Sequence, residues 1–119
     1  MEFKSEWFDW NDKNFIESKI QDKPQQEENK ILKYLKSGNP FMACASVIRD
    51  CFKPEVHIQT TAYTDTEWEW HDSLIYYVEN YHYKISDEFL NHMKACNWRV
   101  SKLTEEEILM LCNKSSIKL

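Results

Sequence analysis

His57-Ile58-Gln59-Thr60-Thr61-Ala62-Tyr63, Thr64-Asp65-Thr66 and Glu67-Trp68-Glu69-Trp70 run consecutively near the middle of the chain. The first segment is rich in β-branched and aromatic strand formers. The second has turn chemistry, and the third alternates strictly between acid and indole. Together they predict a hairpin over 56–70. Side chains alternate across a strand, so Trp68 and Trp70 share one face and Glu67 and Glu69 the other.

Helical patterns flank this hairpin on both sides. Upstream, Pro24 opens a segment with Glu27 and Glu28 near its start and Lys33 and Lys36 near its end. That charge order suits a helix dipole. Ile31, Leu32, Tyr34 and Leu35 supply a buried stripe, and Gly38 and Pro40 follow as stop signals, predicting a helix over 24–37. Downstream, His71 or Asp72 caps a helix whose Leu74, Tyr77, Val78 and Tyr81 recur at i, i+3, i+4 and i+7. Ser86 starts another, with Asp87 and Glu88 in its first turn and Phe89, Leu90 and Met93 as its stripe. Thr104 and Glu107 form a capping box ahead of Ile108, Leu111 and Cys112.

The remaining segments are plainer. Asn11 or Asp12 can cap a short helix over 12–20. Trp98-Arg99-Val100-Ser101-Lys102-Leu103 reads as a short strand, and Phe41 to Phe52 as either a buried strand or a short helix. The expected class is α+β: a small antiparallel sheet with helices packed on one face.

The chain has 119 residues, which fits one domain over 1–119. Residues 1–22 are an aromatic N-terminal segment (Trp7, Phe8, Trp10) expected to dock on it, and the tail 113–119 is expected to fray. Aromatics make up 14% of residues, too many for a disordered chain. The single glycine, Gly38, rules out glycine-rich phosphate loops. Turns that need positive φ must then fall to Asn, Asp or Ser, or give way to longer loops.

No apolar run approaches the ~20 residues of a membrane span. The start Met1-Glu2-Phe3-Lys4 lacks a signal-peptide pattern. The protein is expected in the cytoplasm, with Cys44, Cys51, Cys96 and Cys112 reduced and packed as small apolar groups.

Catalytic and cofactor chemistry is sparse in the sequence. Glu88 and His92 could form one side of a metal site, but a third ligand is missing, so a solvated helix pair is favoured and no metal or cofactor is expected. The cysteines sit in apolar contexts, and His57, His71 or His82 meeting one in space is a minor possibility. Net charge is −5, the wrong sign for direct nucleic-acid binding.

Asp65, Glu67, Glu69 and Asp72 stand out as acids clustered around the hairpin. They are either the wet face of an edge strand or a face that meets a basic protein. Trp68 and Trp70 are either core or contact anchors.

The stretch Thr64 to Val78 resembles a motif of small bacterial proteins. They read Thr-Asp-Gly-x-Trp-x-Trp-Pro, then two residues, then Leu and an aromatic-Tyr-Val helix. The likeness continues through Tyr81 and Ile85-Ser86-Asp87-Glu88-Phe89, takes in Tyr34-Leu35-Lys36-Ser37-Gly38 upstream, and spans about residues 31–93. Thr66 stands where glycine is usual, so a wider turn is expected. His71 and Ser86 replace prolines.

Proteins of this kind are frequently immunity proteins of polymorphic toxin systems, including contact-dependent growth inhibition. The resemblance implies a non-enzymatic inhibitor that binds a cognate basic toxin, such as an RNase or DNase domain. It would do so one-to-one; the motif itself says little about the contact surface, and the candidate contacts come from the acidic hairpin: Asp65, Glu67, Glu69 and Asp72 with Trp68 and Trp70. The alternatives are an adaptor or structural interaction domain with a host partner and, further behind, a small enzyme.

Overall fold

In the computed structural model, residues 3–6, 11–42 and 47–112 are described. Trp7, Phe8 and Trp10, Cys44, the side chain of Cys112 and the tail 113–119 lie outside them. The chain is α+β. Its elements in order are β1 (Lys4–Ser5), α1 (Lys13–Lys19), α2 (Glu28–Lys36), β2 (Asn39–Met42), β3 (Val47–Arg49), β4 (His57–Gln59), β5 (Ala62–Thr64), β6 (Trp68–His71), α3 (Asp72–Tyr81), α4 (Asp87–Ala95) and α5 (Glu105–Cys112). Four strands form a sheet in the order β1-β6-β5-β2, and β3 and β4 form a separate pair. The sheet is antiparallel through β2, β5 and β6, while β1 joins β6 in parallel.

The hairpin forms, but its first arm is cut in two. The expected strand 57–63 breaks at Thr60 and Thr61, so β4 pairs with β3 and β5 pairs with β6. Asp72 fixes the break. Its Oδ2 accepts from the Thr61 N–H at 3.0 Å, and its own N–H donates to the Thr61 carbonyl at 3.0 Å. With both backbone groups of Thr61 engaged by the start of α3, neither can continue a ladder.

The main core lies where α2, α3 and α4 meet the face of the sheet that carries the indoles. Trp70, Tyr34, Leu35, Leu74, Tyr77, Phe89 and Met93 are all fully buried there. Phe89 stacks on Trp68 with centroids 4.4 Å apart and planes 8° apart. Such a pair adds about 1 kcal/mol beyond its area. The Trp70 indole N–H donates to the Leu35 carbonyl at 3.0 Å, a group at the end of α2 that also accepts from the Gly38 N–H at 3.3 Å. A smaller cluster of Phe3, Phe41 and Ala62 packs with Ile108 and Leu111 of α5.

Helix α2 begins at Glu28, not at Pro24. Residues ahead of it form a turn in which Glu27 is left-handed (φ 61°). The Gln25 side chain reaches across to the Tyr83 carbonyl (2.7 Å) and the Ile85 N–H (3.1 Å), which holds the turn open. Gly38 also works differently from the expected stop. Its φ is ordinary, but a Cβ there would lie 2.4 Å from Cζ2 of Trp70 and 2.9 Å from Cβ of Tyr63. The glycine is required by the close approach of the indole.

Several caps form as the sequence predicts. Asp12 accepts from the Phe15 N–H and Ser86 from the Phe89 N–H. Thr104 and Glu107 exchange both capping-box bonds. Asn97 serves as the left-handed residue after α4 (φ 54°), with the Asn97 and Trp98 N–H groups returning to Lys94 and Met93, a Schellman arrangement. Trp98 follows with φ 60°, a costly conformation for a bulky residue.

The segment 98–103 is not a strand. It lies beside β2 through the Asn39 side chain, whose amide donates to the Ser101 carbonyl (2.8 Å) and accepts from the Leu103 N–H (3.0 Å). One side chain thus takes the place of a backbone ladder. The ambiguous stretch 41–52 contributes strands β2 and β3, with 43–46 outside the described residues. No helix among the described residues is long and apolar enough to cross a membrane.

Candidate functional site

The turn between β5 and β6 stays tight although glycine is missing. Asp65 and Trp68 close it, with the Asp65 N–H donating to the Trp68 carbonyl at 3.3 Å. Thr66, the first central residue, adopts φ 94°. That is the position where glycine is favoured in a two-residue hairpin, and a β-branched residue there is strained. The wider turn expected from the sequence does not form. Side-chain bonds hold the backbone instead. Thr64 Oγ1 accepts from the Thr66 N–H at 2.9 Å, and Asp65 Oδ1 accepts from the N–H groups of Glu67 (3.0 Å) and Trp68 (2.8 Å).

Asp65 is therefore a buried hub. Its second oxygen, Oδ2, accepts from the Tyr34 hydroxyl of α2 and from His92 Nε2 of α4, the latter at 2.7 Å. Burial, and then the Asp65 carboxylate, push the Tyr34 hydroxyl far above the usual tyrosine range. Glu67 takes the other side of the same imidazole, with Oε2 3.3 Å from His92 Nδ1, while its side chain remains 71% exposed. The result is a carboxylate held out in solvent on a turn locked from beneath.

Cys96 Sγ lies 3.7 Å from His92 Nε2. A cysteine nucleophile needs its thiol lowered toward thiolate. Here burial raises it, and the nearby Asp65 and Glu67 charges add to the rise against a hydrogen bond with Tyr34. Moreover, Asp65 and Cys96 crowd the same imidazole nitrogen, Nε2, so the Asp65 carboxylate at 2.7 Å occupies the position through which that nitrogen would take the thiol proton, while Glu67 lies at Nδ1.

The other acids of the predicted face are placed differently. Glu69 is fully buried. Strict alternation predicted a wet face, but the face that Glu69 shares with Ala62 is covered, Ala62 packing there with Phe3, Phe41 and, from α5, Ile108 and Leu111. Asp72 is half-buried and engaged with Thr61, and it also bonds the Tyr63 hydroxyl, which burial and this carboxylate push up to about 12. Asp65 is buried as described. Of the four, Glu67 alone is exposed. Trp68 and Trp70 are core, at 4% and 0% exposure.

His71 shares the Glu69 face. Its Nδ1 lies 3.3 Å from Ser73 Oγ, and Nε2 is buried with no hydrogen-bond partner among the described residues. Burial holds it below the usual imidazole range despite Asp72 and Glu69 nearby. The pair Glu88 and His92 does not assemble as metal ligands. Glu88 instead faces Lys4 at 3.1 Å, and no group of three candidate ligands occurs among the described residues. Cys51 and Cys96 are half-buried.

A second hub was not singled out in the sequence. Asp50, 1% exposed, accepts from the hydroxyls of Tyr76 and Tyr81 (both 2.6 Å) and from the N–H groups of Phe52 and Lys53. Burial raises its pKa, but these four donors outweigh it, and the carboxyl sits below its usual value. The available signal was an Asp just ahead of Lys53-Pro54, a turn position where Asp commonly bonds the backbone two residues on.

Compared with known proteins, the chain matches no family model, no curated protein and no solved structure.

Proposed function

We propose that the chain is an immunity protein that binds a cognate toxin in the cytoplasm and neutralises it by one-to-one inhibition. The observation that carries this reading is the exposed Glu67 carboxylate on a turn that Asp65, Tyr34 and His92 hold rigid. A contact group fixed before binding loses little freedom on docking. The resemblance of the surrounding motif to immunity proteins points the same way.

The partner would be a basic protein, a nuclease toxin domain whose phosphate-binding cleft an acidic inhibitor can fill. Net charge of −5 favours fast, salt-sensitive encounter with such a surface. In this reading Glu67 touches the toxin. Asp65 and Trp68 brace it from below, and Glu69, Trp70 and Asp72 keep strand and helix in register behind it.

The test is co-expression with the open reading frame directly upstream, with only this chain tagged. A one-to-one partner retained in high salt and toxic when expressed alone supports the proposal, as does weakened, salt-dependent binding by Glu67→Lys. No retained partner and no protection of cells against that product would overturn it.

A further inference from the structure

Helix α2 and the segment 98–103 enclose a groove of about 1010 Å³ whose charge opposes that of the whole chain. Lys30, Lys33 and Lys36 line it from α2, and Arg99 and Lys102 from the other wall. No acid is among its described lining residues. Lys36 is matched by Glu79 at 2.5 Å and Lys30 by Glu27 at 3.5 Å. Lys33, Arg99 and Lys102 have no carboxylate within ion-pair distance among the described residues. Uncompensated cations in a concavity concentrate positive potential there.

Apolar side chains, those of Pro40, Trp98, Val100, Leu103 and Ile108, line the same groove. The left-handed backbone at Asn97 and Trp98 turns the chain out of α4 and brings this wall opposite α2.

We infer that the groove docks an extended acidic segment of a partner protein in which carboxylates alternate with apolar side chains. The carboxylates meet the cations and the apolar groups meet the apolar lining. A nucleic-acid strand fits less well. It needs open aromatic faces for stacking, and the Lys30 ammonium already lies 5.7 Å from the Trp98 ring centroid. A long polyanion also meets the net charge of −5 beyond the groove. A short acidic segment instead stays within the screening distance of about 8 Å around the cations. Residues 113–119 of the chain carry two lysines and no acid, the wrong sign for this occupant. The inference stands whether or not the partner is a toxin.

The experiment measures fluorescence anisotropy of labelled probes against the full chain. The probes are a peptide alternating Glu with Leu and Phe, the same peptide with Gln for Glu, and an oligothymidine. The acidic peptide should bind saturably and more tightly as salt falls. The combined Lys33→Glu, Arg99→Glu and Lys102→Glu variant should lose at least about tenfold in affinity. The corresponding Gln variant, which removes charge without adding repulsion, should fall between the two while keeping the wild-type melting temperature. Equal binding of the Gln peptide, tighter binding of oligothymidine, or no saturable binding of the acidic peptide at low salt would overturn the inference.

Discussion

Asp65 Oδ2 and His92 Nε2 meet at 2.7 Å, and this bond ties the hairpin turn to α4. Replacing Asp65 with Ala leaves the Tyr34 hydroxyl, the imidazole and two turn N–H groups without their acceptor. The expected cost is about 3 kcal/mol or more. Glu67→Ala, one residue beyond Thr66, should change stability by no more than about 0.5 kcal/mol, because its side chain is mostly in solvent. Urea unfolding of both variants checks this. Comparable losses would mean that the turn is not pinned through Asp65.

Gly38→Ala places a methyl group against the Trp70 ring and the Tyr63 Cβ. Both neighbours are packed, and one is backbone-proximal, so relief requires the sheet to shift. A loss of about 1–3 kcal/mol is expected. Trp70→Phe in the same chain should recover part of it, since the smaller ring vacates space. Thermal melts of the single and double variants measure that recovery.

Thr66→Gly should stabilise the protein. The native φ of 94° strains a β-branched residue but not glycine, and the backbone bonds to Thr64 and Asp65 remain. Relief of strain outweighs the added freedom of the unfolded chain by about 1 kcal/mol. A rise of a few degrees in Tm is the expected readout, and a fall would show the turn to be unstrained.

His71 gives a pH dependence with a defined sign. Its folded pKa is below the ordinary value of 6.5, so above 6.5 both states are neutral and stability is complete. As pH falls below 6.5 the unfolded chain takes up the proton first, and stability declines until the folded imidazole is also protonated. For one proton the slope is at most about 1.4 kcal/mol per pH unit. His71→Gln should flatten this part of the curve, as followed by denaturant midpoints between mildly acidic and neutral pH.

Local features of the fold could be read directly from the sequence. The caps at Asp12 and Ser86, the box at Thr104 and Glu107, and the stripe of Leu74, Tyr77 and Val78 each depend on residues within a turn or two of one another. What was missed depends on distant segments. Glu69 lies on the face where Ala62 packs against Ile108 and Leu111 of α5, more than thirty residues further on. Asp65 became a hub through Tyr34 and His92, which the sequence places far to either side. The Trp98–Leu103 stretch has the composition of a strand, but Asn39 takes up the Ser101 carbonyl and the Leu103 N–H, so no ladder forms. The basic groove joins Lys33 to Arg99 and Lys102, and a net charge summed over the chain conceals it.

Asn39 also governs how the molecule behaves toward its own copies. β2 ends the four-stranded sheet, and a bare sheet margin can recruit a strand from a neighbouring molecule. The carboxamide of Asn39 occupies that margin by holding 101–103 alongside, and Pro40 brings no N–H with which to extend it. Two adjacent residues therefore guard the margin, and Asn39→Ala, which releases 101–103, should raise self-association at high concentration.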